Sequence, residues 1–171
     1  MMFTAFLIKY GEIGLKGKNR YLFEDALMRQ IRFALDGAGE FSVNKEQGRI
    51  FVDALSDYDY DEVLERLGRV FGIVAICPVV ECEDNSWDSL TKVTGDYVAS
   101  VYGDKPFTFK VESRRADKRY PKKSMEISAG MGEYLLDRFP QATVDVHHPQ
   151  VLLNIEIREK TYIYSLSVPG P

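Results

Sequence analysis

The chain has 171 residues, 45% of them hydrophobic and 28% charged, with a net charge of −4. That length suffices for one large domain or two small ones. No apolar run approaches the ~20 residues needed to span a bilayer, and the opening MMFTAFLIKYGE has neither a basic region before its apolar stretch nor a small-residue cleavage site, which argues against a signal peptide. Two cysteines, Cys77 and Cys82, point to a reducing cytoplasm and not to a disulfide scaffold.

The first half reads as strand, helix, strand, strand, helix, strand. Phe3–Lys9 is a short apolar run, expected to be a buried strand. Asn19 is placed to cap a helix whose Phe23, Leu27, Ile31 and Ala34 recur three or four apart, and Gly37 and Gly39 end it. Phe41–Lys45 and Arg49–Val52 form a hairpin around Gln47-Gly48. Asp61–Arg69 is a short helix with Val63, Leu64 and Leu67 inward, and Ile73–Glu81 is a fourth strand. The order βαββαβ is that of a ferredoxin-like unit.

Glu83-Asp84-Asn85 is a polar break that marks a boundary. A helix follows from Ser86 to Tyr102 with Leu90, Val93, Tyr97, Val98 and Val101 on one face. In Phe107–Ser113, Phe107, Phe109 and Val111 alternate with Thr108, Lys110 and Glu112, the pattern of a half-buried strand. Ser124 starts a helix carrying Ile127, Met131 and Leu135, ended at Phe139 by Pro140. Strands at Thr143–Val146, Val151–Ile157 and Thr161–Ser167 complete an α/β second domain, the last two paired across Arg158-Glu-Lys160. The fold class is therefore α+β, with a ferredoxin-like domain over 1–82 and an α/β domain over 83–168. Val168-Pro-Gly-Pro171 reads as the start of a linker at 169–171, as in a fragment of a longer protein.

Charge is distributed unevenly. Residues 105–123, KPFTFKVESRRADKRYPKK, hold eight basic residues (Lys105, Lys110, Arg114, Arg115, Lys118, Arg119, Lys122, Lys123) against Glu112 and Asp117, a net +6 in a chain of −4. A local positive field in an acidic protein is the footprint of a polyanion, most often a nucleic acid backbone. Two helix starts share this bias. Lys118, Arg119, Lys122 and Lys123 lead into the helix at Ser124, and Lys16, Lys18 and Arg20 crowd the start of the helix at Asn19. A cation at a helix N-terminus costs roughly 0.3–1 kcal/mol, and a bound phosphate reverses that sign. Arg114, Arg115 and Arg119 suit forked phosphate recognition, and Tyr120 among them is a candidate to stack on an unpaired base.

Other reactive residues are read more plainly. Gly11-Glu-Ile-Gly-Leu-Lys-Gly17-Lys18-Asn19 follows a strand and opens a helix, yet it has five residues between the glycines where a nucleotide P-loop has four, and Asn19 in place of Ser or Thr. ATP binding by this loop is rejected. Cys77 and Cys82 are an odd five apart on or near a predicted strand, an offset that points them to opposite faces, with Cys77 read as core. His147-His148 before Pro149 lack ligand spacing and read as turn residues, and Asp57, Asp59, Asp61 and Glu62 as a solvated loop leading to a helix cap. No catalytic residue, metal ligand or cofactor site is expected in the chain.

Lys9-Tyr-Gly-Glu-Ile-Gly-Leu-Lys-Gly-Lys-Asn-Arg20 resembles the opening of the tRNA 4-thiouridine synthetases, the tRNA sulfurtransferases also known as thiamine biosynthesis protein ThiI. Phe109-Lys-Val-Glu-Ser-Arg-Arg-Ala-Asp-Lys118, Ser124 and the Val144-Asp-Val run before Pro149 resemble that family's THUMP domain, a pattern shared with RNA methyltransferases, pseudouridine synthases and deaminases. The resemblance implies that the two domains hold the tRNA acceptor end with its 3′ CCA. A following adenylating domain with ATP and Mg, absent here, then thiolates uridine eight with sulfur from a cysteine desulfurase, and the same relay serves the thiamine thiazole. Carried over, Lys16, Lys18, Arg20, Lys110, Arg114, Arg115, Lys118, Arg119, Tyr120, Lys122, Lys123 and Ser124 become candidate RNA contacts. The family also implies a homodimer, with no membrane partner. Competing readings are a self-contained thiolation catalyst, against which the missing nucleotide loop speaks, the RNA-binding region of another THUMP-type enzyme, and a pure dimerisation module.

Overall fold

The computed structural model describes residues 3–11, 18–46 and 48–171, with the side chain of Lys18 left out. The chain separates into two compact units, Met1–Val79 together with Leu166–Pro171, and Val80–Ser165.

The first unit contains β1 (Ala5–Tyr10), α1 (Lys18–Ala34), β2 (Phe41–Glu46), β3 (Arg49–Ala54), α2 (Tyr60–Leu67) and most of β4 (Ile73–Cys82). Its strands lie in the order β2-β3-β1-β4, all neighbours antiparallel. That is the ferredoxin-like arrangement expected from the βαββαβ pattern. Alternation along the strands aims Phe6, Ile8, Ile50, Val52 and Ile76 into the same core as Leu27, Met28, Ile31 and Leu35 of α1 and Val63 and Leu67 of α2. Ile8, Ile31 and Leu67 are among its fully buried side chains, and burying each such residue contributes roughly 1.5–3 kcal/mol.

Local signals moved two boundaries. Helix α1 begins at Lys18, so Asn19 lies within its first turn and is not its cap. Helix α2 begins at Tyr60, because the Asp59 carboxylate accepts the Glu62 backbone N–H at 3.1 Å and provides the cap.

The second unit contains the last residues of β4, α3 (Trp87–Tyr102), β5 (Phe107–Arg115), α4 (Ser124–Arg138), β6 (Ala142–Val144), β7 (Val151–Ile157) and β8 (Thr161–Tyr164). Strand β5 is paired in parallel with both β6 and β7, β7 is antiparallel to β8, and β8 is antiparallel to the end of β4. Phe107 and Phe109 of β5, Val151, Leu153 and Ile155 of β7 and Ile127, Met131 and Leu135 of α4 are buried. The alternation read from 107–113 holds, with Lys110, Glu112 and Arg114 on the opposite face of the strand.

Two readings of the C-terminal region give way. Strand β8 stops at Tyr164, and Ser165 instead bonds the Tyr97 and Tyr102 hydroxyls at 2.7 and 2.5 Å. Residues read as a linker form β9 (Val168–Pro169), paired antiparallel with Ala75 and Ile76 of β4. The Gly170 N–H then donates to the Val74 carbonyl at 2.9 Å. The tail returns to the first unit because β4 still offers unpaired backbone groups on that side. The two compact units divide inside β4, after Val79, and again before Leu166.

Candidate nucleic-acid interface

In the second unit the basic stretch lies partly on a strand. Strand β5 runs through Arg115, so Arg114 and Arg115 point to opposite faces and are not loop residues. Arg114 is exposed. Arg115 is turned inward: its Nη1 donates to the Lys118 carbonyl at 2.8 Å and to the Tyr120 carbonyl at 3.2 Å. One guanidinium thus ties down the loop 116–123 from inside.

The same loop is fastened from its far side. The Tyr120 hydroxyl donates to the Asn85 carbonyl at 2.8 Å, and burial pushes that phenol upward from its ordinary pKa. Asn85 in turn donates to the carbonyls of Arg158 and Glu159 and accepts from the Thr161 hydroxyl at 2.7 Å. Tyr120 is therefore a half-buried anchor of the loop, its hydroxyl already committed.

The cations divide by partner. Arg119 lies side-on against Asp117, whose carboxyl the Arg119 guanidinium, then the Arg119 backbone N–H, hold down to about 2. Lys110 lies 3.5 Å from Glu112. Among the described residues no carboxylate stands within ion-pair distance of Arg114, Lys118, Lys122 or Lys123. Lys118 and Lys123 are exposed, and Lys122 sits 4.7 Å over the Trp87 ring.

The two helix starts of this unit differ in a way that bears on charge. Helix α3 is capped conventionally: Ser86 Oγ accepts the Ser89 N–H at 3.3 Å. Asp84 beside it accepts the Ser86 N–H at 2.9 Å and the Ser89 hydroxyl at 2.9 Å, and those bonds lower its carboxyl below the usual range. Helix α4 has Lys123 at the cap position, with no side chain bonding back to its amides. Only the reverse half of a capping box is present, the Lys123 N–H donating to Glu126 Oε1 at 3.2 Å. Ser113 Oγ donates to the Ser124 carbonyl at 2.7 Å, which fixes the start of α4 against β5. Amides and lysines at the start of α4 together suit an anion.

In the first unit Lys16 lies outside the described residues, and of Lys18 only the backbone is described, opening α1. Arg20 Nε is 3.7 Å from Glu24 Oε2, and Lys45 Nζ is 3.6 Å from Glu24 Oε1. Glu24 is 5% exposed and also accepts the Tyr10 hydroxyl. Lys45, which sequence spacing did not single out, also lies 4.3 Å over the Tyr21 ring. Trp87, beneath Lys122, was not singled out either; the only signal was a lone tryptophan two residues after the polar break.

The remaining sequence readings have simple positions. Cys77 and Cys82 are buried, and the Cys82 thiol donates to the Asp84 carbonyl at 3.0 Å. His147 and His148 lie in a turn whose two backbone N–H groups are accepted by Asp145 at 3.0 Å. No helix of the described residues is long and apolar enough to cross a membrane.

Comparison with known proteins places both units. Residues 5–77 match the ThiI ferredoxin-like domain and residues 84–166 the THUMP domain. A probable tRNA sulfurtransferase of Lachnospira eligens is 59% identical over 99% of this chain, which spans 44% of that relative's length. A crystal structure from Pyrococcus horikoshii Ot3 superposes with a TM-score of 0.82 at 34% identity, over 98% of this chain and 55% of that one. A 4-thiouridine synthetase in complex with RNA and bound ATP gives a TM-score of 0.82 at 29% identity, over 98% of this chain and 42% of that one.

Proposed function

The chain belongs to the tRNA sulfurtransferase family, of which it carries the ferredoxin-like and THUMP portion, and from that premise we propose that it docks the acceptor end of a tRNA, the 3′ CCA included. The observation that carries this reading is the start of α4. There a lysine occupies the cap position, Arg114, Lys118 and Lys122 stand near it in sequence without carboxylate partners among the described residues, and no side chain satisfies the first amides. A structure that leaves cations beside helix amides is arranged for phosphate, not for its own stability. A-form RNA hides its major groove from side chains, so shape, backbone charge and single-stranded ends are what such a surface reads. The related 4-thiouridine synthetase structure in complex with RNA supports RNA binding by this portion.

In the whole protein, this docking serves a further ATP- and Mg-dependent domain that forms 4-thiouridine at position eight. Its sulfur comes from a cysteine desulfurase in the cytoplasm, the working enzyme is a dimer, and the same sulfur is available to the thiamine thiazole. The portion described here supplies the binding.

The test is a tRNA titration by anisotropy. Arg114→Glu combined with Lys118→Glu weakens binding at least tenfold while the melting temperature stays the same. If about five phosphates are engaged, log K falls with log salt at a slope of roughly −3.5 to −4.5. Equal binding by wild type and double variant removes this surface from the interface. A tRNA lacking CCA that binds as tightly as the intact one removes the end-recognition part of the reading.

A further inference from the structure

Trp87, the only tryptophan of the chain, lies on the first turn of α3, outside the basic stretch. Its ring is seated directly on the α4 backbone at Gly130: a Cβ built there would lie 2.9 Å from Trp87 Cζ2 and 3.2 Å from Cη2. Any other residue at Gly130 would lift the indole. Lys122 Nζ stands over the ring at 4.7 Å, within the range where the quadrupole of an aromatic face attracts a cation. Lys122 is half-buried, and no carboxylate among the described residues holds it. The indole thus contacts α4 at Gly130 and has the Lys122 ammonium over its ring. The neighbouring Tyr120–Asn85 bond keeps the loop against the start of α3, so the stack does not depend on Lys122 alone.

We propose that Trp87 is a positioning residue for RNA: it holds Lys122 in one conformation beside the start of α4, so that a phosphate meets an ordered ammonium. A free lysine gives up substantial side-chain entropy when it is fixed on a ligand. An indole that has already fixed it removes that cost from the binding step. A tryptophan face attracts the charge without neutralising it, as a carboxylate would, and Arg119 shows what the carboxylate alternative looks like in the same loop. This inference deepens, and rests on, the RNA-docking reading.

The experiment uses the full chain and a tRNA acceptor-stem hairpin ending in CCA. Trp87→Leu weakens hairpin binding roughly two- to fivefold, and Trp87→Phe, which keeps an aromatic face, recovers most of the loss. In a Lys122→Met background, Trp87→Leu has no further effect. Lys122→Met also lowers the salt slope by about 0.7–0.9. Independently of RNA, NMR of the free protein shows the Lys122 side-chain protons shifted upfield by the indole ring current, a shift that Trp87→Leu abolishes. A wild type that binds no hairpin ends the docking reading and this inference together. Wild-type binding with equal losses from Trp87→Leu in both backgrounds, or normal Lys122 shifts in the free protein, overturns this inference alone. Thermal melting of Trp87→Phe identifies any loss caused by misfolding.

Discussion

The guanidinium of Arg119 lies side-on against the carboxylate of Asp117, with Nε 3.0 and 3.2 Å from the two carboxylate oxygens and Nη2 2.9 Å from Oδ2. The most exposed-looking arginine of the basic loop is therefore already engaged by its own neighbour two residues away. An RNA phosphate must compete with that carboxylate for the same fork.

Asp117→Asn removes the competitor. We expect tRNA affinity to rise roughly two- to fivefold, an effect of the size seen for exposed pairs, and the rise to vanish when Arg119 is also changed to Gln. The pairing has a pH signature. The Asp117 carboxyl titrates near 2, below its usual 3.8, so the pair is intact above about pH 4 and is lost as pH falls through 2. Carboxyl NMR of Asp117 with a midpoint near 4 would show that the pair does not persist in solution.

Arg115 acts on the same loop from inside. Arg115→Lys keeps the charge but loses the fork that reaches the carbonyls of Lys118 and Tyr120. Amide exchange over 116–122 should speed up, and tRNA binding should weaken about two- to tenfold, in line with the ~0.5–1.5 kcal/mol of a hydrogen bond. The salt slope should stay as in wild type, because the number of phosphate contacts is unchanged. Arg115→Gln, which removes the charge, should also keep the wild-type slope, and a slope reduced by about 0.7–0.9 in that variant would make Arg115 a direct contact.

The tail is held by close backbone approach. A Cβ at Gly170 would lie 1.9 Å from the Ile73 carbonyl oxygen, so Gly170→Ala must push β9 away and break the bond to Val74. We expect a loss of about 1–2 kcal/mol, with a drop of several degrees in the midpoint of thermal unfolding. An unchanged midpoint would mean that the pairing of Val168–Pro169 contributes nothing to stability.

Cys82 should be chemically quiet. Burial, the largest cause, raises its thiol above the ordinary value, so less thiolate exists at any given pH. Iodoacetamide at pH 8 should modify Cys82 on the order of tenfold more slowly than a free thiol. Labelling at the rate of a free thiol would show that the site opens in the native state.

Local patterns carried a large share of this architecture. The three- and four-residue spacing of Leu27 and Ile31 placed α1, and the alternation of Phe107 and Phe109 with Thr108 and Lys110 placed β5 and its two faces. The concentration of cations before Ser124 located the basic surface without any knowledge of contacts. The misjudged particulars share one cause. Arg114 and Arg115 are adjacent and identical in type, yet one is exposed and the other is a clamp, because β5 extends far enough for its alternation to reach them. The Val168-Pro-Gly-Pro171 tail has linker composition, yet it pairs because β4, some ninety residues earlier, offers it an edge.

What the amino-acid order determined alone was therefore the periodicity of each element and the place of the charge, since both depend on near neighbours and on side-chain chemistry. What only the tertiary structure decided was which cations remain available. Asp117 occupies Arg119, the loop carbonyls occupy Arg115, Glu24 faces Arg20 and Lys45, and Lys122 stands over the Trp87 ring. Charge is a property of the residue, but a free valence for phosphate depends on what the folded chain brings within a few ångströms of it.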